Sequence, residues 1–236
     1  MGRYDGRTAI VTGSRRGVGR IITDHLLEGG ATVIGFARGE SANGHPAYHH
    51  VQVDITDSPA LTDAFVGIRR EFTTVDILVN NAATLTSQYS MIMSTDVARE
   101  MVETNLLAPF VMSRECARLM KRSKWGRIIN IGSMATSLEP AGDSVYAACK
   151  TGLTTLGNVM AREFASFNVT CNTLAITAIE TDMLNQLPKD RIDAIIATLP
   201  VPRYATAEDI TNVIDFFASE SSSYITAQTV FLGGVN

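Results

Sequence analysis

Cysteine is scarce in this chain. Its three residues, Cys116, Cys149 and Cys171, are spread across 236 positions. An odd, widely spaced set makes neither a disulfide framework nor a zinc site, and the three are expected to be reduced, buried small residues. No apolar run reaches the roughly 18 residues that a membrane span needs, and no signal peptide precedes the first predicted strand. A soluble, cytoplasmic protein with no membrane partner is therefore expected. An excess of one charge is missing too. The net charge is −4, which leaves no electrostatic footprint for nucleic acid. The few histidines, His25, His45, His49 and His50, show no metal spacing and no nearby nucleophile, so no metal site is expected. Internal repeats, linkers and low-complexity segments are absent, and a hydrophobic content of 45% supports a full core. One domain spanning residues 1–236 suffices.

What is present begins with a nucleotide site. Arg7–Thr12 is a short apolar strand, and Gly13, Ser14, Arg15, Arg16, Gly17, Val18 and Gly19 follow it at once, leading into the amphipathic run Arg20–Glu28. Strand, glycine loop and helix form the context a dinucleotide fingerprint requires. The glycines permit a tight turn and let the backbone approach a pyrophosphate, which the helix amino terminus stabilises. The next strand, Ala31–Phe36, ends at Ala37-Arg38. A carboxylate near this point suits the ribose 2′-hydroxyl of NAD, whereas arginine suits the 2′-phosphate of NADP. With Ala37 in place of an acid, Arg38, Arg15 and Arg16 could surround a phosphate or could be three solvated arginines. The pattern points to NADP(H). Asp54, after the strand Tyr48–Val53, either accepts from an adenine amino group or caps the helix starting near Ser58. A fourth strand, Val75–Val79, runs into Asn80, Asn81, Ala82 and Ala83, whose small size lets a loop lie close to a cofactor while the amides bond neighbouring backbone.

The second cluster is catalytic in character. Ser133 follows the buried-strand pattern Gly126–Gly132, and Tyr146 and Lys150 stand four apart at the start of a helical pattern. Residues at that spacing share a helix face. A free phenol titrates near pH ~10, and an adjacent ammonium favours its ionised form and draws the pKa toward neutrality. Tyr-x-x-x-Lys alone also occurs by chance on many helices, so the weight lies on the whole set of motifs. The segments Val97–Arg122 and Ala148–Phe167 carry apolar residues at helical spacing and are expected to cover the sheet. Thr181–Leu199, with Met183, Leu184 and Leu187, reads either as a substrate lid or as a plain connecting helix.

Taken together, Thr12–Gly19, Asp54, Asn80–Ala83, Asn105 in Thr104–Phe110, Ser133 in Ile131-Gly-Ser133 and Tyr146-Ala-Ala-Cys-Lys150 resemble the short-chain dehydrogenases/reductases over nearly the whole chain. Val75–Asn81, Trp125–Ser133 and Ile179–Met183 resemble the 3-oxoacyl-(acyl-carrier-protein) reductase branch. The resemblance implies a single-domain Rossmann-type α/β fold, a doubly wound parallel sheet ordered 3-2-1-4-5-6-7 with helices on both faces. It implies NADPH-dependent reduction of a ketone to a secondary alcohol, with a 3-oxoacyl thioester as substrate. Tyr146 would be the acid, and Lys150 would lower its pKa and hold the nicotinamide ribose. Ser133 would donate to the substrate oxygen. Asn105 would sit at a helix irregularity and hold a relay water, though by sequence it equally satisfies buried backbone. Gly13–Gly19, Arg38, Asp54, Ile55, Asn81, Ala82, Tyr146, Lys150, Ile179 and Thr181 would bind the cofactor. Helices would pair between subunits in a homotetramer, and Lys121, Arg122, Lys124 and Arg127 would meet an acidic acyl carrier protein or form a solvated face.

The chain departs from the family pattern at Ala83, at Ile176-Thr177 where Pro-Gly is usual, and at Phe167-Asn168 where a basic residue and glycine are usual. These departures keep open a tailoring ketoreductase or alcohol dehydrogenase acting on a free small molecule or polyketide. A nucleotide-binding regulator without turnover is a third possibility, opposed by the intact Asn105, Ser133, Tyr146 and Lys150.

Overall fold

Seven parallel strands build one sheet: β1 Thr8–Thr12, β2 Thr32–Ala37, β3 Tyr48–Gln52, β4 Ile77–Asn80, β5 Gly126–Ser133, β6 Val169–Ile176 and β7 Thr229–Phe231. Their spatial order is β3-β2-β1-β4-β5-β6-β7, the doubly wound arrangement expected from the motifs. The computed structural model describes residues 2–181 and 189–235.

The central strands are apolar on both sides because both sides are covered. Side chains alternate across a strand, so Ala9, Val11, Ile77, Val79, Ile129 and Ile131 face one layer. Ile10, Leu78 and Ile128 face the other. The first layer is closed by α1 (Gly17–Glu28), through Ile22 and Leu26. The second is closed by α2 (Ser58–Glu71), through Leu61 and Phe65.

Helices that follow β4 hold Asn105, Tyr146 and Lys150. The helical pattern over Val97–Arg122 is not one α-helix. It divides into α3 (Thr95–Val102), a π turn at Glu103–Leu107 and α4 (Ala108–Ser123). Pro109 has no N–H to give the carbonyl of Asn105, and the Ala108 N–H reaches back to the Glu103 oxygen instead. A short α5 (Ala135–Leu138) precedes α6 (Ser144–Phe164), whose Met160 and Ala161 pack in the second layer. Beyond β6, α7 (Lys189–Thr198) and α8 (Ala207–Ala218) follow, and α8 seals the first layer with Ile210, Ile214 and Phe217.

Asn168 takes the left-handed conformation, φ 58°, at the position where the family pattern has glycine. An asparagine tolerates that backbone better than most side chains. Ala83 takes no such conformation, so a methyl there carries no backbone strain. Among the described residues, no helix is long and apolar enough to cross a membrane.

Candidate active site

The glycine loop forms where β1 must turn at once into α1. Gly13 and Gly17 have φ of +68° and +53°, values that disfavour any residue with a Cβ. A Cβ on Gly19 would lie 2.2 Å from the Gly13 carbonyl oxygen, so the helix can start this close to the strand only with glycine there. The loop is clamped to the end of β4. The Thr12 hydroxyl oxygen accepts from the backbone N–H groups of Asn81 (2.9 Å) and Ala82 (3.0 Å). Asn81 Nδ2 in turn donates to the Thr12 carbonyl (2.8 Å). Helix α1 begins with no side-chain cap and no acid in its first turn, which leaves its positive end suited to an anion.

From this loop a cleft of about 530 Å³ runs along the carboxyl ends of the strands, the place where open α/β sheets collect ligands. Its outer end is lined by Arg15, Arg16, Arg38 and Asp54. Gly13, Gly17, Val18, Ile55, Asn81 and Ala82 line the cleft further in, with Thr181 beside Gly17, and Ile179, Tyr146 and Lys150 complete the wall. Residues predicted from distant parts of the sequence thus share one wall. Ser14, Gly19 and Asn105 stand behind it. Ser14 is buried, with its hydroxyl 3.0 Å from the Tyr48 hydroxyl.

The two readings of Asp54 separate here. The cap of α2 is Asp57, whose carboxylate accepts from the Ala60 N–H at 3.0 Å. Asp54 instead accepts from the Thr56 N–H (2.9 Å) and hydroxyl (2.7 Å) and lines the cleft. Burial pushes its carboxyl up, but the Thr56 hydrogen bonds and the Arg38 guanidinium outweigh this and leave it below the ordinary value.

At the inner end Ser133 is the last residue of β5, and Tyr146 and Lys150 occupy the first turns of α6. The Ser133 oxygen accepts from the Ala135 N–H at 3.1 Å, which leaves its single proton to donate. Its partner is the Tyr146 hydroxyl, and this bond favours the ionised phenol. Burial is stronger, and it pushes the phenol up to about 12 rather than down. The expected pull of the Lys150 ammonium toward neutrality is thus opposed by burial of the phenol. The Lys150 ammonium donates to the Ile131 carbonyl at 2.8 Å and lies 5.7 Å from the phenol ring centre, while burial lowers its own pKa to about 8. Asn105 does sit in the helix irregularity. Its amide donates to the Thr84 and Met101 carbonyls, both at 2.8 Å, and its oxygen accepts from the Thr84 N–H at 3.2 Å. It thereby pins Thr84, another residue of the cleft wall.

Tyr146 also borders a second cavity of about 110 Å³, walled by Ser133, Met134, Leu138, Ile176, Thr177 and Ile192 among others. Arg191 lines it too, and no motif announces that residue. Arg191 of α7 donates to the Ser87 hydroxyl (3.1 Å) and the Ala141 carbonyl (2.8 Å) and lies 3.7 Å from Asp143. Ser87 donates to Asp143 at 2.5 Å. These partners are 50 and 104 residues from Arg191 in sequence, and no local pattern announces them. The strand pattern likewise does not announce that Thr12 ties β1 to the end of β4. Met183, Leu184 and Leu187 of the predicted lid lie outside the described residues. The predicted basic cluster loses one member: Arg127 is fully buried, stacked 4.4 Å from the Trp125 ring, and donates to the Gly126 and Ser219 carbonyls.

The chain is similar to known proteins over nearly its whole length. The family model described as short chain dehydrogenase matches residues 7–192. A 3-oxoacyl-(acyl-carrier-protein) reductase of Salmonella typhimurium is 38% identical over 98% of this chain and 97% of its own. The Escherichia coli K12 protein of the same name is 37% identical over the same shares. Among solved structures, a 4-hydroxyisoleucine dehydrogenase complexed with NADH superposes with a TM-score of 0.87 at 26% identity, over 97% of each chain. With the family model spanning most of its length and relatives of this similarity covering nearly all of it, the chain belongs to the short-chain dehydrogenase family of oxidoreductases, which act on CH–OH groups.

Proposed function

We propose that this enzyme uses NADPH to reduce the ketone of a 3-oxoacyl thioester to a secondary alcohol. The observation that carries the reading is the position of Tyr146, whose side chain is shared by the long cleft and the small cavity beside Ser133. A carbonyl seated in the small cavity can meet the phenol there.

The cleft fits a nicotinamide dinucleotide. Left-handed glycines at 13 and 17, an uncapped helix start and flanking arginines form a cradle for phosphate groups. Arg15, Arg16 and Arg38 would hold the phosphate on the adenosine ribose, and Asp54 would accept from the adenine amino group. Bound there, the reduced nicotinamide supplies a hydride. The protein's part is protonation and orientation. Tyr146, kept protonated by burial, gives its proton to the carbonyl oxygen, where negative charge develops. Ser133 donates a hydrogen bond to the same oxygen. Lys150, anchored on the Ile131 carbonyl, holds a positive charge beside the phenol and stabilises the phenolate left behind.

The 3-oxoacyl assignment is supported by relatives of that name at 37–38% identity and by the apolar walls of the small cavity. An acyl carrier protein would approach the remaining basic residues Lys121, Arg122 and Lys124. Exposed Leu107, Phe110 and Val159, on the π turn, α4 and α6, support helix pairing in a homotetramer. A second reading is reduction of a free small molecule. Ile176 and Thr177 shape the small cavity, Arg127 is withdrawn from the basic face, and Lys121 lies 4.5 Å over the Phe167 ring. Loss of nicotinamide absorbance with an acetoacetyl thioester separates the readings. Turnover with NADPH and not NADH is expected. Tight NADPH binding without turnover would overturn the thioester substrate.

A further inference from the structure

The edge strand β3 carries an unusual face. Alternate residues of a strand point the same way, and on β3 these are Tyr48, His50 and Gln52. Each one holds backbone or side-chain atoms of the loops at the outer end of the cleft. The Tyr48 hydroxyl lies 3.0 Å from the Ser14 hydroxyl and 3.3 Å from His50 Nδ1. His50 Nε2 lies 2.9 Å from the Gly39 carbonyl, and Gln52 donates to the Arg38 carbonyl at 3.1 Å.

A carbonyl can only accept, so His50 Nε2 carries a proton and donates to Gly39. The contacts link the glycine loop to Gly39 through Ser14, Tyr48 and His50. Two glycines make the geometry possible. A Cβ on Gly35 would lie 2.2 Å from the Tyr48 hydroxyl oxygen and 2.5 Å from that of Ser14. A Cβ on Gly39 would lie 2.4 Å from Arg15 Nη1, which itself donates to the Glu40 carbonyl at 3.1 Å. Three successive carbonyls, those of Arg38, Gly39 and Glu40, are therefore held by Gln52, His50 and Arg15.

We infer that Tyr48 and His50 are positioning residues that set Arg38 and Arg15 as a clamp for the 2′-phosphate, and so determine the choice between NADPH and NADH. The inference rests on the NADPH reading above. It assigns a role to Ser14, which the cleft does not expose, and to His50, which has no part in the chemistry.

The test uses two probes that differ only by that phosphate, adenosine 2′,5′-bisphosphate and adenosine 5′-monophosphate, titrated calorimetrically into the full chain. The unaltered protein should prefer the bisphosphate. Tyr48→Phe and His50→Leu should each reduce that preference about fivefold, the worth of roughly one net hydrogen bond, with monophosphate affinity unchanged. His50→Gln, which can still donate to the Gly39 carbonyl, should restore most of it. Melting curves establish that each variant is folded. Equal loss for both probes, or an unchanged preference in Tyr48→Phe and His50→Leu, would overturn the positioning role. No preference in the unaltered protein would instead refute the 2′-phosphate clamp, and this inference with it.

Discussion

At its inner end the cleft closes on Ser133, Tyr146 and Lys150, which are 9%, 8% and 2% exposed. At its outer end Arg15, Arg16 and Arg38 stand in solvent. Burial dominates the first region. It moves the tyrosine and lysine pKa values in opposite directions, to about 12 and about 8, and it holds each group by a specific partner. In the second region Arg15 is held on the Glu40 carbonyl and the Arg38 carbonyl on Gln52, and water screens the exposed charges. One end of the site is thus tuned by desolvation and the other by position.

The sharpest way to break this contrast is Tyr146→Phe. Losing the phenolic proton should reduce turnover by about 10²- to 10⁴-fold, the range for a general acid, while fluorescence titration shows NADPH affinity within about twofold. If turnover survives, the inner end is not organised around that proton.

A second consequence follows from the two shifts. Lysine ordinarily titrates at 10.5, and burial brings Lys150 down to about 8. As pH rises through about 8, Lys150 loses its charge while Tyr146 is still protonated. The kcat/KM for carbonyl reduction should therefore fall above about pH 8, roughly tenfold per pH unit if one proton is lost. A rate constant to pH 10 would show that the ammonium is not required.

Much of the inner end was legible in sequence because its determinants are local. Ser133 ends a strand rich in isoleucine, and Tyr146 and Lys150 are one helical turn apart. The glycine loop was legible for the same reason. What the sequence concealed depends on distance or on competition between effects. Arg191 reaches Ser87 across 104 residues. Tyr48 and His50 look like ordinary edge-strand residues until Gly35 and Gly39 make room beside them. Arg127 reads as surface charge beside Lys124, yet the sheet buries it completely. The sign of the Tyr146 shift required knowing that burial outweighs the Ser133 hydrogen bond, and adjacency in a helix does not report burial.

At the outer end Arg38→Ala should weaken NADPH about tenfold, consistent with loss of one charge-assisted contact, and leave NADH affinity unchanged. Equal losses for the two cofactors would mean that Arg38 stabilises the loop and does not read the phosphate.

The smallest expected effect is also the one that sets the two regions apart without any substitution. Raising ionic strength from about 0.05 M to about 0.5 M shortens the screening length to well under 10 Å. Exposed arginines should then hold a phosphate less well, and the KM for NADPH should rise about threefold. The Lys150 charge is enclosed, with its ammonium on the Ile131 carbonyl, so salt ions cannot approach it. At saturating NADPH and substrate, kcat should therefore stay constant across the same series. A kcat that falls in step with NADPH affinity would show that the inner charge is reached by solvent after all.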